Sequence, residues 1–504
     1  MTGRPVGTLC MVLHTHLPWL AHHGTWPVGE EWLHQAWSSS YLPLVEVLQR
    51  LAGEGRRDLL SLGVTPVLAA QLDDPYCLRE QHLWLGRWQL RAEELAARQD
   101  RDLRALAASE FHAAARAIAT FEQDWRHGGS AALRPLVDDG AIELLGGPAT
   151  HPVLLLLPEP VARLAVRSGL DDATVRLGSR PVGVWAPECA VSAGLPRLLQ
   201  QEGVGHLLVD GPTMVGAGGS TDRVWRVGDV GVLGRDLALT DRVWSARSGY
   251  PGGADYRDFH TMDHPSGFRP ARVTGPAEAA KQPYDPVAAA ARARRDAVSF
   301  VSAVHERLLR RLSAGEQPLA VVAWDTELFG HWWHEGPAFL EHTLRMLPAA
   351  GVRIATLGQV VGEQLSDAPE VELPTGSWGA GKDLHLWSGE PVAELAQETA
   401  VVARRLQDVV RRCSPPGSPR DPVLDELARE ALLALSSDWA FMVSRDSASA
   451  YARGRHDGHV KRFHTLADAT EAGASTPDLA RPAGNTVVPH LDARVLAATA
   501  SDRS

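Results

Sequence analysis

Two short passages hold the residues most able to do bond chemistry. Val321 to Pro337 reads VVAWDTELFGHWWHEGP, an apolar run that delivers Asp325 and Glu327 among three tryptophans and two histidines. Gly183 to Val191 reads GVWAPECAV and sets Glu188 just beyond a second apolar run, with Pro187 fixing the chain direction before it. Two carboxyl groups at strand ends, far apart in sequence and brought together by folding, are what glycosidic bond cleavage requires. The aromatic composition points the same way, because Trp (16) outnumbers Phe (9) and Tyr (6). An indole offers a broad apolar face and one N–H donor, which suits it to stack on the C–H face of a pyranose ring. Trp185, Trp324, Trp332, Trp333, Trp378 and Trp387 are the expected wall around the carboxyl groups. A carboxyl desolvated by such a wall has a raised pKa and can donate a proton near neutral pH, which suits Asp325 to the role of general acid. Glu327, two residues on, shares its face if the strand continues, and spacing alone does not choose between them.

His14 and His16 in VLHTHLPWL are two apart, so on a strand they face the same way, and Pro18 ends the run. With His151 in GGPATHPVLLLL they form a histidine set with two functional readings: metal ligands, or hydrogen-bonding partners of sugar hydroxyls near a carboxylate. The metal reading needs further His and Asp ligands at later strand ends. Glu188 and Asp325 stand there instead, so no metal and no cofactor is expected.

These residues need a scaffold of strands. Short apolar runs at Thr8–Leu13, Leu59–Val64, Ile142–Leu145, Val182–Trp185, His206–Val209, Val230–Leu233, Ala320–Trp324 and Arg353–Thr356 alternate with helical stretches, an order that argues for parallel β/α units and a barrel. Residues 86–126 are rich in Ala, Arg, Glu and Leu at helical spacing and are too long for a simple crossover, so a helical insertion is expected there. Asp285-Pro286 is an N-cap and first-turn pair that opens a helix through Arg311. After residue 390 the strand signals stop and helices are expected at Val392–Arg412, Pro422–Leu435 and Ala448–Ala467. The expected organisation is a catalytic unit over 1–390, a helical unit over 391–475 and a tail over 476–504.

Composition excludes several classes. A net charge of -11 with no long basic run argues against a nucleic-acid partner. Four dispersed cysteines with no C-x-x-C pair suit a reducing, cytoplasmic setting. Leu9–Leu13 is too short an apolar run for a signal peptide or a membrane span, so neither export nor a membrane partner is expected.

HTHLP (His14–Pro18), GGPATHPVLLLL (Gly146–Leu157), GVWAPE (Gly183–Glu188), AWDTELFGHWWHEG (Ala323–Gly336) and SWGAGKDLHLW (Ser377–Trp387) resemble, in order and spacing, the five motif regions of glycoside hydrolase family 57. Within that family SSDWAFM (Ser436–Met442), GRD (Gly234–Asp236) and VWSARSGYPGGADYRDF (Val243–Phe259) look most like the 1,4-α-glucan branching enzymes. The resemblance implies an α/β fold built on an incomplete (β/α)7 barrel with inserted helices and a C-terminal helical domain. It also implies a retaining double displacement without metal, acting on an α-1,4-glucan. On that analogy Glu188 is the nucleophile and Asp325, rather than Glu327, the acid/base. Arg235, Gly252, Trp378 and Asp438 are expected to contact the glucan, beside His14, His16 and His151. The alternatives are an α-amylase or 4-α-glucanotransferase of the same family, or a non-catalytic glucan-binding protein. One departure concerns Gly211–Asp222, GPTMVGAGGSTD, where the branching enzymes carry a longer loop with a tyrosine at its tip. Here the segment is short and has no Tyr, which leaves Met214 as its large side chain and bears on transfer against hydrolysis.

Overall fold

The computed structural model describes residues 4–25, 28–98, 101–245, 247–274, 280–474, 478 and 487–497. Its centre is a nine-stranded sheet in the order β6-β7-β5-β4-β3-β2-β1-β8. Seven strands of this path run parallel, as does β9 beside it: β1 (Gly7–Thr15), β2 (Ser61–Val64), β3 (Glu143–Gly146), β4 (Gly183–Val184), β5 (His206–Val209), β7 (Val230–Gly234) and β8 (Leu319–Asp325), with β9 at Val352–Ile354. β6 (Trp225–Val227) is antiparallel to β7, and β9 pairs with the first residues of β1, on which β2 takes the last ones. All eight strands expected from sequence occur, most with their ends moved by a residue or two. β6 was not expected, because three residues are too few for alternation to show; the Gly228-Asp229 turn that joins it to β7, with Gly228 at φ 59°, is the signal that was available.

Strand alternation sorts side chains into two layers. Leu9, Met11 and Leu13 of β1 with Ala320, Val322 and Trp324 of β8 belong to the large outer core beneath the helices. Cys10 and Val12 join Leu145, Trp185, Leu208, Leu233, Val321 and Ala323 in a smaller inner core. Each buried large apolar side chain stabilises the fold by about 1.5–3 kcal/mol. This register carries the last inner-facing residues, His14 and Asp325, to the same sheet end, where they are direct ladder partners. It also turns Trp324 away from Asp325, so the expected indole beside that carboxyl is absent: the Trp324 N–H donates outward to the Thr240 carbonyl at 3.0 Å. No ladder joins β7 to β8 among the described residues, but the Asp236 N–H just past β7 donates to the Val321 carbonyl at 2.7 Å.

The opposite sheet end is plugged by polar contacts. His206 pairs with Glu143 at 2.7 Å, and Glu143 also accepts from the Gly358 N–H of the Leu357–Gln364 helix. A Cβ at Gly183 would lie 2.1 Å from the His206 ring, so only glycine fits there.

The insertion is a helical hairpin of Pro75–Ala96 and Arg101–Thr120, opening earlier than residue 86 because Asp74 caps the first helix by accepting from the Tyr76 and Cys77 N–H groups. Asp285 caps Pro286–Ser313 in the expected way. Beyond Ala393 the described residues form helices, Ala393–Cys413, Pro422–Ala434, Ser437–Ser444 and Ser449–Glu471, with a short turn at Ala493–Leu496. The Ser437–Ser444 helix was not expected as a separate element. Residues 487–497 of the tail pack on the Pro422–Ala434 helix, where Arg429 donates to the Val487 carbonyl and Ala493 N–H to Asp425. No helix is long and apolar enough to cross a membrane among the described residues.

Candidate active site

Glu188 follows β4 in a tight turn at Pro187–Cys189, with φ 60° at Glu188 and 47° at Cys189. Non-glycine residues occupy this left-handed region at a cost, and its use by two successive residues is a strained device that aims one side chain. The carboxylate is held at both oxygens: the Trp378 indole N–H donates to Oε2 and the Ser437 hydroxyl to Oε1, each at 2.9 Å. The Trp378 backbone N–H closes on the Glu188 carbonyl at 2.8 Å. Loops after two distant strands and a C-terminal helix thus converge on one group.

Asp325 ends β8 on the inner face and lines the same cavity, which has a volume of about 760 Å³. Burial, then the negative charges of Glu327 and Glu188, push its carboxyl well above the usual range. Burial also raises Glu188, but its two donors favour the ionised form and oppose the rise. Burial thus raises both groups, Asp325 the further, and only Glu188 has side-chain donors that favour its ionised form. Glu327 is not on the strand, since β8 stops at Asp325 and a turn takes over at Thr326–Leu328. Its carboxylate accepts from the Tyr41 hydroxyl at 2.6 Å and the His16 N–H at 3.2 Å, and burial raises its pKa to about 7. Gly330, at φ 110°, lets this loop lie against the Ser39 carbonyl, which a Cβ would meet at 1.8 Å.

The three histidines come together. His14 stacks on Trp185 with ring centroids 4.5 Å apart, and its Nε2 meets His151 Nε2 at 3.0 Å. His151 Nδ1 lies 2.9 Å from Ser437 Oγ and 3.9 Å from Glu188 Oε1. His16 pairs with Asp438 at 2.9 Å and with Thr65 at 2.9 Å. Burial depresses His14 and His151 well below the usual imidazole range. At His16 burial also lowers the pKa, but the Asp438 carboxylate outweighs it and the net shift is upward. Asp438, raised by burial, is brought below its usual range by His16. The site thus holds one charged couple and two neutral imidazoles. His16, His151 and Asp438 offer ligand atoms within 4.8 Å of one another, as metal ligands would. The rings also form a hydrogen-bond network, His151 with His14 and Ser437 and His16 with Asp438.

Arg235 donates to Asp210 at 2.6 Å, and its guanidinium lies over the Trp378 ring at 5.3 Å. Both Arg235 and Trp378 line the cavity with the three histidines and Asp438. Gly252 does not. It is exposed in the Tyr250–Gly252 turn, whose Tyr250 points to Ser299 and Phe339 instead. Of the expected tryptophan wall, Trp332, Trp378 and Trp387 line the cavity and Trp185 backs His14, whereas Trp324 and Trp333 sit in the outer core. Met214 lies fully buried beneath Gly219 and Gly234, and no residue of 211–222 reaches the cavity. Sequence reasoning missed Ser437, Tyr41, Trp32 and Trp244. Trp244, inside the quoted VWSARSG passage, stacks on Trp378 at 6.1 Å and is exposed at the mouth with Trp332 and Phe441. Exposed rings clustered at a cavity mouth mark a binding surface.

Two buried carboxyls facing one cavity rimmed by indoles define an enzyme of glycosidic bonds. Comparison with known proteins places it more narrowly. The chain belongs to glycosyl hydrolase family 57, whose family model matches residues 10–371. Residues 398–495 match a second model, 1,4-alpha-glucan branching enzyme, C-terminal. A protein of Mycobacterium tuberculosis described as a probable 1,4-alpha-glucan branching enzyme is 50% identical over 491 residues, covering 93% of each chain. A 1,4-alpha-glucan branching enzyme of Thermococcus kodakarensis is 33% identical, over 92% of this chain and 73% of that one. The crystal structure of a family 57 branching enzyme from Pyrococcus horikoshii superposes with a TM-score of 0.91 at 31% identity, covering 98% of this chain and 97% of that one.

Proposed function

We propose that this protein is a 1,4-α-glucan branching enzyme that works by a retaining double displacement. The observation that carries the reading is the unequal carboxyl pair: Trp378 and Ser437 donate to Glu188 and favour its ionised form, whereas burial beside two other carboxyls pushes Asp325 well above the usual range. On this reading Glu188 attacks the anomeric carbon while Asp325 protonates the departing oxygen, leaving a glycosyl ester on Glu188. Asp325, now a carboxylate, takes the proton of the incoming hydroxyl as the ester breaks. A 6-hydroxyl gives an α-1,6 branch, and water gives hydrolysis.

Arg235, Trp378 and the histidine network orient the sugar, and the His16–Asp438 couple supplies a fixed charge pair for its hydroxyls. The seven parallel strands are read as an incomplete (β/α)7 barrel, open between β7 and β8 where the single Asp236 to Val321 bond lies. The division at about residue 390 assigns Ser437 and Asp438 to a helical unit that completes the groove. With no tyrosine loop over the cavity, exclusion of water falls to Trp244, Trp332 and Phe441 at its mouth.

Incubation with amylose tests the reading. New α-1,6 linkages are expected to outnumber new reducing ends, and a predominance of reducing ends would make the protein an amylase of the same family. The pH profile tests the acid. Glu327→Gln removes the charge that most raises Asp325, so the alkaline limb of kcat/KM is expected to move to lower pH. An unmoved limb would show that some other group sets it.

A further inference from the structure

The cavity holding Glu188 and Asp325 does not end at Trp332. It shares Glu31, Gln35, Met262, Arg269, His331 and Trp332 with a second cavity of about 680 Å³, lined by the insertion hairpin and the segment 257–269. We propose that this second cavity binds the acceptor α-glucan chain and delivers its 6-hydroxyl to Asp325. The proposal rests on the branching reading and assigns a part in it to the insertion.

Position is the first argument. The second cavity joins the first at His331 and Trp332, on the loop that follows Asp325, and includes neither Trp378, which donates to Glu188, nor Trp244, which stacks on Trp378. In a double displacement the glycosyl unit stays on the nucleophile, while the departing and incoming chains exchange on the side of the acid. An acceptor lying on the Asp325 side can approach without displacing that unit. The C1–O bond to Glu188 then breaks as the C1–O6 bond forms, the hydroxyl proton passes to Asp325, and Glu188 leaves as a carboxylate.

Lining chemistry is the second. Trp84 donates its indole N–H to Glu31 at 3.0 Å and Trp88 to Glu110 at 2.9 Å, which fixes both rings along the cavity. The Arg91 guanidinium spans the Trp84 and Phe268 rings at 5.4 and 5.8 Å, and its buried Nε has no hydrogen-bond partner among the described residues. Rigid indoles interleaved with planar donors match a sugar polymer, with ring faces for C–H surfaces and free donors for hydroxyls. Carboxylates at Glu31, Glu46 and Glu110 offset the arginines, and Glu110 is directly paired with Arg257, so the lining suits an uncharged chain rather than a phosphorylated one. The volume lies within the ~300–1,000 Å³ of ordinary ligand sites.

The test uses the full-length protein with α-maltosyl fluoride as donor and amylose as acceptor over a range of concentrations. Trp84→Ala and Arg91→Ala are each expected to raise the half-saturating amylose concentration about ten-fold. Fluoride release without amylose should stay within about two-fold of the unmodified protein, which also reports that each variant is folded. Unchanged acceptor dependence in both variants overturns the proposal alone. Unmodified protein that releases fluoride but transfers nothing to amylose overturns the branching reading and the proposal together.

Discussion

Glu188→Gln is expected to lower turnover of amylose by about 10⁴-fold or more while leaving maltooligosaccharide binding within a few-fold of the original, as titration calorimetry would show. The amide keeps the shape of the carboxylate but cannot form the glycosyl ester. It still accepts from the Trp378 N–H through its oxygen, and the Ser437 hydroxyl can rotate to accept from its nitrogen. The same variant makes a second, opposite prediction for stability. Burial raises the Glu188 pKa, so the folded state holds this proton more tightly than the unfolded chain does. Its contribution is therefore lost as pH rises from the unfolded value of about 4.3 through the raised one, and above that window the ionised carboxylate weighs against folding. Glutamine removes that cost, and thermal unfolding at neutral pH should occur at an equal or higher temperature than in the unmodified protein. Retained turnover would remove Glu188 from the chemistry. Absence of turnover in the unmodified protein, with binding intact, would make the chain a glucan-binding protein.

Asp325→Asn should separate the two chemical steps. With amylose, whose leaving oxygen needs a proton, the rate is expected to fall about 10³-fold. With α-maltosyl fluoride, whose leaving group needs little help, the first step survives. The second then lacks its base, so a maltosyl adduct on Glu188 should accumulate and be visible by intact mass. Equal loss on both substrates with no adduct would show that Asp325 is not the acid/base, and Glu327 would become the candidate. The geometry favours Asp325, because it stands at the strand end on the inner face, whereas Glu327 is occupied by Tyr41 and His16.

Much of this site was legible because strand periodicity and local turn chemistry are properties of neighbouring residues. The apolar run into Asp325, the Pro187-fixed turn at Glu188 and the two-residue spacing of His14 and His16 each announced a side chain at a strand end. Spacing was less reliable past the end of a strand. It grouped His16 with His14, and the two do share one cavity, but His16 lies beyond β1 and is held by Thr65 and Asp438. It made Trp324 a neighbour of Asp325, whereas the same alternation that turns Asp325 inward sends Trp324 to the outer core. Gly252 was expected to contact the glucan, but the direction of the Tyr250 side chain takes its turn elsewhere.

The sequence by itself determined eight of the nine strands, the alternation of sheet and helix, the helical end of the chain and the strand-end placement of the candidate carboxyls Glu188 and Asp325. These follow from hydrophobic period, capping and turn residues, which act over a few positions. Only the tertiary structure decided what distinguishes those carboxyls. Ser437 and Trp378 reach Glu188 from distant parts of the chain, Glu327 and Glu188 crowd Asp325, and the insertion hairpin extends the cavity beyond Trp332. Protonation depends on burial and on charges within a few ångströms, and those distances are set by which loops pack together at the sheet end rather than by any local pattern of residues.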